Sequence, residues 1–458
     1  MVGRLQFPVS LMIPTRAIRP LLLAGVAALL SVGSAGHAAD AKAASVLKEK
    51  AEIDAGLDRG YAQLDALYKD IHEHPELGFQ EARTAAKLAA EMRAMGFEVT
   101  EHVGGTGIVA IFKNGPGPMV MVRTELDALP LEEKTGLPYA SHATQLWEGK
   151  PTPVDHACGH DIHMTAWVGA AQALVAMKSQ WHGTLMFIGQ PAEETVGGAR
   201  AMLADGLFKR FGKPDIGFAQ HVSNGPAGTL SYRAGVNSSA ADGFEIAFKG
   251  RGAHGSRPQL SIDPVVEASR FVVDVQSVIS REKDPAAFGV LSVGSIQSGT
   301  AGNIIPDGAI VRGTIRSYDE DTRTKLKSGL VRTAKAEAEM SGAPPAVVTF
   351  DAGASAVVND DAITGRTGPI FKAAFGDRAV VAPGPGSASE DYSEFIIAGV
   401  PSLFWGLGGY DPKVIADAQS KGQVLPSNHS PQFAPIPEPS IRTGVEAMTL
   451  AVLGVLGK

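Results

Sequence analysis

Four short apolar, β-rich runs alternate with helix-forming stretches, and this alternation limits the possible folds more than any other feature. The runs are "GIVAIF" (107–112), "PMVMVRTEL" (118–126), "TLMFIGQ" (184–190) and "DIGFAQH" (215–221). Apolar spacing of three to four residues predicts helices over 44–72 and 81–97, the second ending near Gly96. Between the runs, "DIHMTAWVGAAQALVAMK" (161–178) is strongly helical, with Asp161 placed to cap its start. Nearly continuous apolar strands separated by helices bury both faces of a sheet. They imply an α/β fold with a mostly parallel sheet covered by helices on either side.

The pattern changes near residue 237. "GFEIAFKGRG" (243–252) alternates like a half-buried strand, and an amphipathic helix over 263–285 follows it. Next come strands at 289–299 and 309–318, a helix at 320–342 and "AVVTF" at 346–350. That order describes a small α+β open-faced sandwich. The expected organisation is an α/β catalytic domain, 39–236 plus 351–458, interrupted by a smaller domain at 237–350.

The amino terminus predicts an export signal over 1–38. Arg4, Arg16 and Arg19 precede the apolar run "LLLAGVAALLSVG" (21–33), and "GHA" (36–38) supplies small residues for cleavage near Ala38. That run is shorter than the roughly 20 residues a membrane span needs. The mature chain is thus expected to be secreted or periplasmic, with no membrane attachment after signal removal. Net charge is -7 without basic blocks, which argues against a nucleic-acid partner.

Export makes the single cysteine informative. Cys158 lies in "VDHACGHDIHMT" (154–165), among three of the chain's twelve histidines. A lone exposed thiol in an oxidising compartment invites oxidation, so either burial or a metal bond must protect it. Further polar residues fall just past strand ends, where open α/β sheets place their sites. They are Glu125 and Asp127 in "RTELDALP", Glu193 and Glu194 in "QPAEET", His221 after its strand, and His429 in the loop "SNHSPQF". Taken singly, adjacent acids read as solvated surface and a strand-end histidine as a structural hydrogen-bonding residue. Taken together, a thiol, several imidazoles and carboxylates form the donor set of a divalent metal. Of two adjacent glutamates beyond a strand, one can bind metal while the other stays free to accept a proton from water.

"HEHPELGFQE" (72–81), "HACGHDIHMT" (156–165), "GQPAEETVGGA" (189–199), "GRGAHGSRPQLSIDPV" (250–265), "AGNIIPD" (301–307), "SEDYSEF" (389–395) and "NHSPQF" (428–433) occur in this order. As a set they resemble the amidohydrolase branch of the aminoacylase and carboxypeptidase-type dinuclear metallopeptidases. That branch includes hippurate hydrolases and indole-acetyl-amino-acid hydrolases. The resemblance implies hydrolysis of an amide bond between an acyl group and an amino acid, with two divalent ions per chain, Mn2+ or Zn2+. The implied ligands are Cys158, His160, Glu194, His221 and His429, with Glu193 as general base and Asp127 orienting a ligand from behind. The inserted domain corresponds to a lid that often forms a homodimer contact. From it, His254 resembles a residue that polarises the scissile carbonyl, and Asn303 a substrate-binding residue. Many relatives have Asp in place of Glu125 and a second lid histidine in place of Gln259. Arg316 is then the candidate for the substrate carboxylate.

Two other readings stay open on the residues alone. Cys158 could be the nucleophile of a cysteine hydrolase, which needs a histidine held against the sulfur by a third group. The chain could also be a non-catalytic exported protein that binds a small molecule.

Overall fold

The computed structural model describes residues 29–458, with side chains from residue 43. The leader expected over 1–38 therefore lies outside the residues whose side chains are described. Among the described residues, no helix is long and apolar enough to cross a membrane.

The four apolar runs form Gly107–Asn114, Met119–Glu125, Gly183–Gln190 and Ile216–Pro226, all in one eight-stranded sheet. Met119–Glu125 pairs in parallel with both Gly183–Gln190 and Ile216–Pro226, and Ser402–Tyr410 extends the parallel set beyond Ile216–Pro226. An antiparallel pair, Glu98–Val103 with Gly107–Asn114, closes one edge. Alternation along each central strand feeds two cores. Val120 and Val122 face one side, with Phe187, Phe218 and Trp405, and meet Ile162 and Trp167 from helix His160–Ala176 and Ile441 and Val445 from helix Pro437–Leu456. Met121 faces the other side with Met186, Ile188 and Ala219, against Met202, Leu207 and Phe395. Burial on both faces explains why these strands read as continuous apolar runs.

The chain from Ala240 to Phe350 builds a separate antiparallel sheet in the order Gly289–Ser298, Gly308–Ser317, Ala240–Lys249, Val347–Phe350. Phe244, Ile246, Phe248, Val311 and Ile315 on this sheet pack against Phe271 of helix Pro264–Asp274 and Leu326 and Leu330 of helix Glu320–Met340. Asp263 and Asp319 cap the two helices by accepting the Val265 and Thr322 N–H groups. The helix expected at 263–285 is shorter than its amphipathic pattern. It closes at Asp274 and resumes as a wide π turn over Val278–Glu282. Where this segment leaves and rejoins the large sheet, Ala241 and Ala354 exchange both backbone hydrogen bonds, at 2.9 and 2.8 Å.

The cap expected at Asp161 is corrected by the structure. Gly159 occupies the N-cap position at φ 84°, and Asp161 sits inside the first turn. Its Oδ1 accepts the Ile162 N–H at 2.8 Å, and its Oδ2 faces His72.

Candidate metal centre

The segment that leaves strand Gly183–Gln190 turns sharply through Ala192, at φ 48°. Buried Glu81 braces this turn by accepting the Ala192 N–H at 2.8 Å. The turn carries Glu193 and Glu194 to the C-terminal end of the sheet. Gly159 does the same for Cys158 and His160. Its αL conformation brings them to the start of a helix, and a Cβ there would lie 2.4 Å from Val222 Cγ1.

The groups expected to gather do so. Cys158 Sγ, a ring nitrogen of His160 and a carboxylate oxygen of Glu194 lie within 4.8 Å of one another. Cys158 Sγ is 3.4 Å from His221 Nε2. His160 Nε2 is 3.9 Å from both Glu193 Oε2 and Glu194 Oε1, and His429 Nε2 approaches Glu194 Oε2 at 3.3 Å. The strand carrying His221 runs on to Pro226, so His221 projects from within the strand and does not close it.

The hydrogen bonds fix which nitrogens carry free lone pairs. His160 Nδ1 lies 2.8 Å from the Asp127 carbonyl, which can only accept, so Nδ1 is the protonated nitrogen. Nε2 then points inward, buried and without a partner. His221 repeats the arrangement, with Nδ1 donating to the Val222 carbonyl at 2.8 Å and Nε2 turned to the thiol. A ring nitrogen pinned from behind with its other lone pair directed at a common point is how metal-binding imidazoles are held. Glu194 Oε1 and Asp127 Oδ1 are also buried without partners, while Asp127 Oδ2 accepts the Glu194 N–H at 2.9 Å. An orphaned imidazole nitrogen, an orphaned carboxylate oxygen and a thiol facing one point fit a borderline-soft divalent cation.

His163 stands beside this group but is committed elsewhere. Its Nε2 accepts the Val222 N–H at 2.7 Å and its Nδ1 donates to Glu125 Oε2 at 3.0 Å. His429 adopts φ 69° in an exposed loop. Its neighbour Asn428 anchors that loop, donating from Nδ2 to the Cys158 carbonyl at 2.9 Å and the Val222 carbonyl at 3.0 Å.

Negative charge dominates the site. Burial pushes the Glu193 carboxyl well up, reinforced by Glu390 and Glu194. Burial lifts Glu194 to about 7 against the opposing pull of His160. The Cys158 thiol is raised by burial and then by Glu194 and Glu193. His160 is driven the opposite way. Burial disfavours its cation, yet Asp127, Glu125 and Glu194 together raise it to about 10, so without a metal Nε2 holds a proton that a bound cation would displace. Arg123, fully buried, supplies the balancing cation. It pairs with Glu125, with Glu390 at 2.7 Å and with Asp391 at 3.3 Å. Spacing had given Arg123, Glu390, Asp391, Glu81 and Asn428 no role. All five lie in quoted runs, "RTELDALP", "SEDYSEF", "HEHPELGFQE" and "NHSPQF", which were the sole hint of them.

The lid residues are not gathered in. His254 lies in the two-residue strand Ala253–His254, paired to Ile304–Ile305, and its Nδ1 meets Ser256 Oγ at 2.8 Å. Asn303 adjoins it, accepting the Gly255 N–H through its carbonyl at 2.7 Å. Arg316 is half buried and directs Nη1 to Thr314 Oγ1 and to the Ile315 carbonyl at 3.0 Å. Among the described residues, no hydrogen bond or ion pair joins these three side chains to the Cys158 cluster.

Known proteins resemble this chain over most of its length. The family model for Peptidase family M20/M25/M40 matches residues 121–452. The hippurate hydrolase of Campylobacter jejuni is 36% identical over 338 residues, covering 73% of this chain and 85% of the relative. The N-acetyl-L-cysteine deacetylase of Bacillus subtilis is 32% identical over 359 residues, covering 76% and 82%. A solved dinuclear metal-binding peptidase of the M20 family from Bacillus subtilis superposes with a TM-score of 0.69. It is 28% identical and covers 87% of this chain and 99% of its own. The matched span runs from the strand before Glu125 through the loop of His429, so it takes in every donor of the cluster. With that span, those relatives and that fold in common, this chain belongs to Peptidase family M20/M25/M40 and is a metal-dependent hydrolase of amide bonds.

Proposed function

We propose that the protein is an exported amidohydrolase that uses two divalent cations to cleave N-acyl amino acids or small peptide-like amides. The observation that carries this reading is the pair of orphaned buried atoms, His160 Nε2 and Glu194 Oε1, facing the same point as Cys158 Sγ. Cys158, His160, Glu194, His221 and His429 would hold the cations, Mn2+ or Zn2+. When bound, such ions lower the pKa of water from 15.7 to about 7 and polarise a carbonyl.

The remaining steps belong to side chains. Glu193 lies beside the ligands but outside the Cys158–His160–Glu194 group, clustered instead with Glu390 and Asp391, and its carboxylate would take a proton from the attacking water. It would hold that proton and then deliver it to the leaving amine. Asp127 keeps His160 oriented through its carbonyl, and its carboxylate braces the Glu194 backbone. From the segment 237–350, acting as a lid, His254 would stabilise the carbonyl oxygen and Asn303 and Arg316 would contact substrate. Reaching it calls for lid closure or a homodimer partner's lid. The basic and apolar leader supports export.

The cysteine-hydrolase reading is disfavoured by the sulfur's surroundings. A nucleophilic cysteine needs a lowered pKa, whereas burial and two carboxylates raise that of Cys158. The test is a hydrolysis screen of metal-reconstituted protein against benzoyl-, acetyl- and indole-acetyl-amino acids and dipeptides. Turnover that a chelator abolishes, and that a thiol alkylator leaves intact while metal is bound, is expected. Activity that survives complete metal removal would refute the reading.

A further inference from the structure

Behind the helix that presents His160, a second group of metal-ligating side chains remains that the hydrolytic reading does not use. His72 Nδ1 lies 2.6 Å from Asp161 Oδ2, so the carboxylate holds the proton on that nitrogen. The other nitrogen, Nε2, faces Glu133 Oε1 at 3.3 Å. An oxygen of Asp155 completes a trio whose donor atoms all lie within 4.8 Å of one another. The His72, Glu133 and Asp161 side chains are 4%, 0% and 2% exposed.

Two observations separate this trio from an ordinary buried ion pair. Asp155 is 1% exposed, and its Oδ2 has no hydrogen-bond partner. The neighbouring His156 is 2% exposed, and both its ring nitrogens lack partners. An uncompensated carboxylate is expensive in such a place. One protonated imidazole set among Glu133, Asp155 and Asp161 leaves an excess of negative charge.

The geometry also suits a cation. Ligand atoms about 2.0–2.2 Å from a tetrahedral ion stand about 3.4 Å apart, close to the His72–Glu133 separation of 3.3 Å. Asp161, His72 and the ion would then form the carboxylate–histidine–metal arrangement that sets ring orientation in metal sites. Glu133 is oriented in turn by the Thr135 hydroxyl and the Ser141 N–H.

We propose that His72, Glu133 and Asp155 form a separate divalent-cation site, with Asp161 steadying His72 from behind. One imidazole and two carboxylates favour a borderline ion such as zinc. The bound ion replaces the proton shared by His72 and Glu133 and balances Asp155. Its role is structural: it ties helix Leu29–His72 and the loop holding Glu133 to the start of helix His160–Ala176.

The test compares wild type with Asp155→Asn after chelator treatment, zinc reloading and removal of free metal. Zinc per chain is counted by elemental analysis, and the thermal midpoint is recorded with and without zinc. The expected result is one zinc ion fewer per chain in the variant, with a smaller zinc-induced rise in the midpoint. Because the readout is a difference, it does not depend on how many ions the Cys158 centre holds. Equal zinc content in the two proteins would overturn the proposal and leave His72 as a plain ion-pair partner of Glu133 and Asp161. Should Asp155→Asn not fold, Glu133→Gln takes its place, with the same two outcomes deciding.

Discussion

Arg123 and Glu390, 267 positions apart in the chain, meet in a buried ion pair at 2.7 Å. The same guanidinium also serves Glu125 and Asp391, so it is the cation on which a wholly buried acidic cluster depends. Removing one partner of a buried pair strands the other's charge, at a cost of about 3–5 kcal/mol. Arg123→Met should lose about that much in urea denaturation. Arg123→Lys should recover only part of it, since an ammonium cannot reach several carboxylates in one plane.

Glu193→Gln preserves shape and removes the proton acceptor. Bound metal should stay at the wild-type level by elemental analysis, while kcat falls by about 10²–10⁴. Wild-type turnover in the variant would take the role of base away from Glu193.

Asn428 supports the centre from the loop of His429, with Nδ2 also 3.9 Å from Cys158 Sγ. Asn428→Ala frees the Cys158 and Val222 carbonyls from their shared donor. Losing such an outer partner typically weakens metal binding by about 10–100-fold. Competition with a chromophoric chelator would read that change directly.

Gly159→Ala combines an unfavourable φ of 84° with a contact 2.4 Å from Val222 Cγ1. The backbone term alone is about 1–2 kcal/mol, and the clash adds to it. A thermal midpoint lowered by several degrees and a weaker affinity for metal are expected together, because Cys158 and His160 flank the substituted position.

Asp242 gives a pH signature. Burial by itself would raise its pKa, but hydrogen bonds from Arg323 at 2.7 and 2.8 Å and from Lys327 at 2.8 Å outweigh burial and hold it below 3.8. A carboxyl depressed in the folded state stabilises the fold above its unfolded pKa and loses that contribution as pH falls through the folded value. Asp242→Asn should therefore be less stable than wild type at pH 7, with the gap closing below about pH 4. Chemical denaturation at several pH values would measure it.

The sequence revealed more of the ligands than of their supports, for a physical reason. Cys158, Glu194 and His429 stand in loops, His160 at a helix start and His221 within a strand, each beside an apolar pattern, so their polarity is conspicuous. Strands buried on both faces were legible for the same reason, as at Val120–Val122. Arg123 sits in mid-strand and reads as an interruption of that pattern; only its partner 267 residues away explains it. Glu81 falls at the start of an exposed-looking helix and gives no local sign that it braces Ala192. Asp161 matched a cap by composition, but an αL glycine took that place and left the aspartate for His72. His254, Asn303 and Arg316 were named alongside the resemblance, and they make their hydrogen bonds within the inserted segment, which spacing does not encode.

The paired hydrogen bonds of Ala241 and Ala354 bring the two ends of the inserted segment side by side. Just outside them, Val236 pairs with Val358 and Gly235 with Asn359. A segment whose two ends lie side by side can be lengthened, exchanged or reshaped over evolutionary time without disturbing the strand order of the large sheet. The large sheet and the Cys158 cluster can therefore stay fixed while the appendage changes.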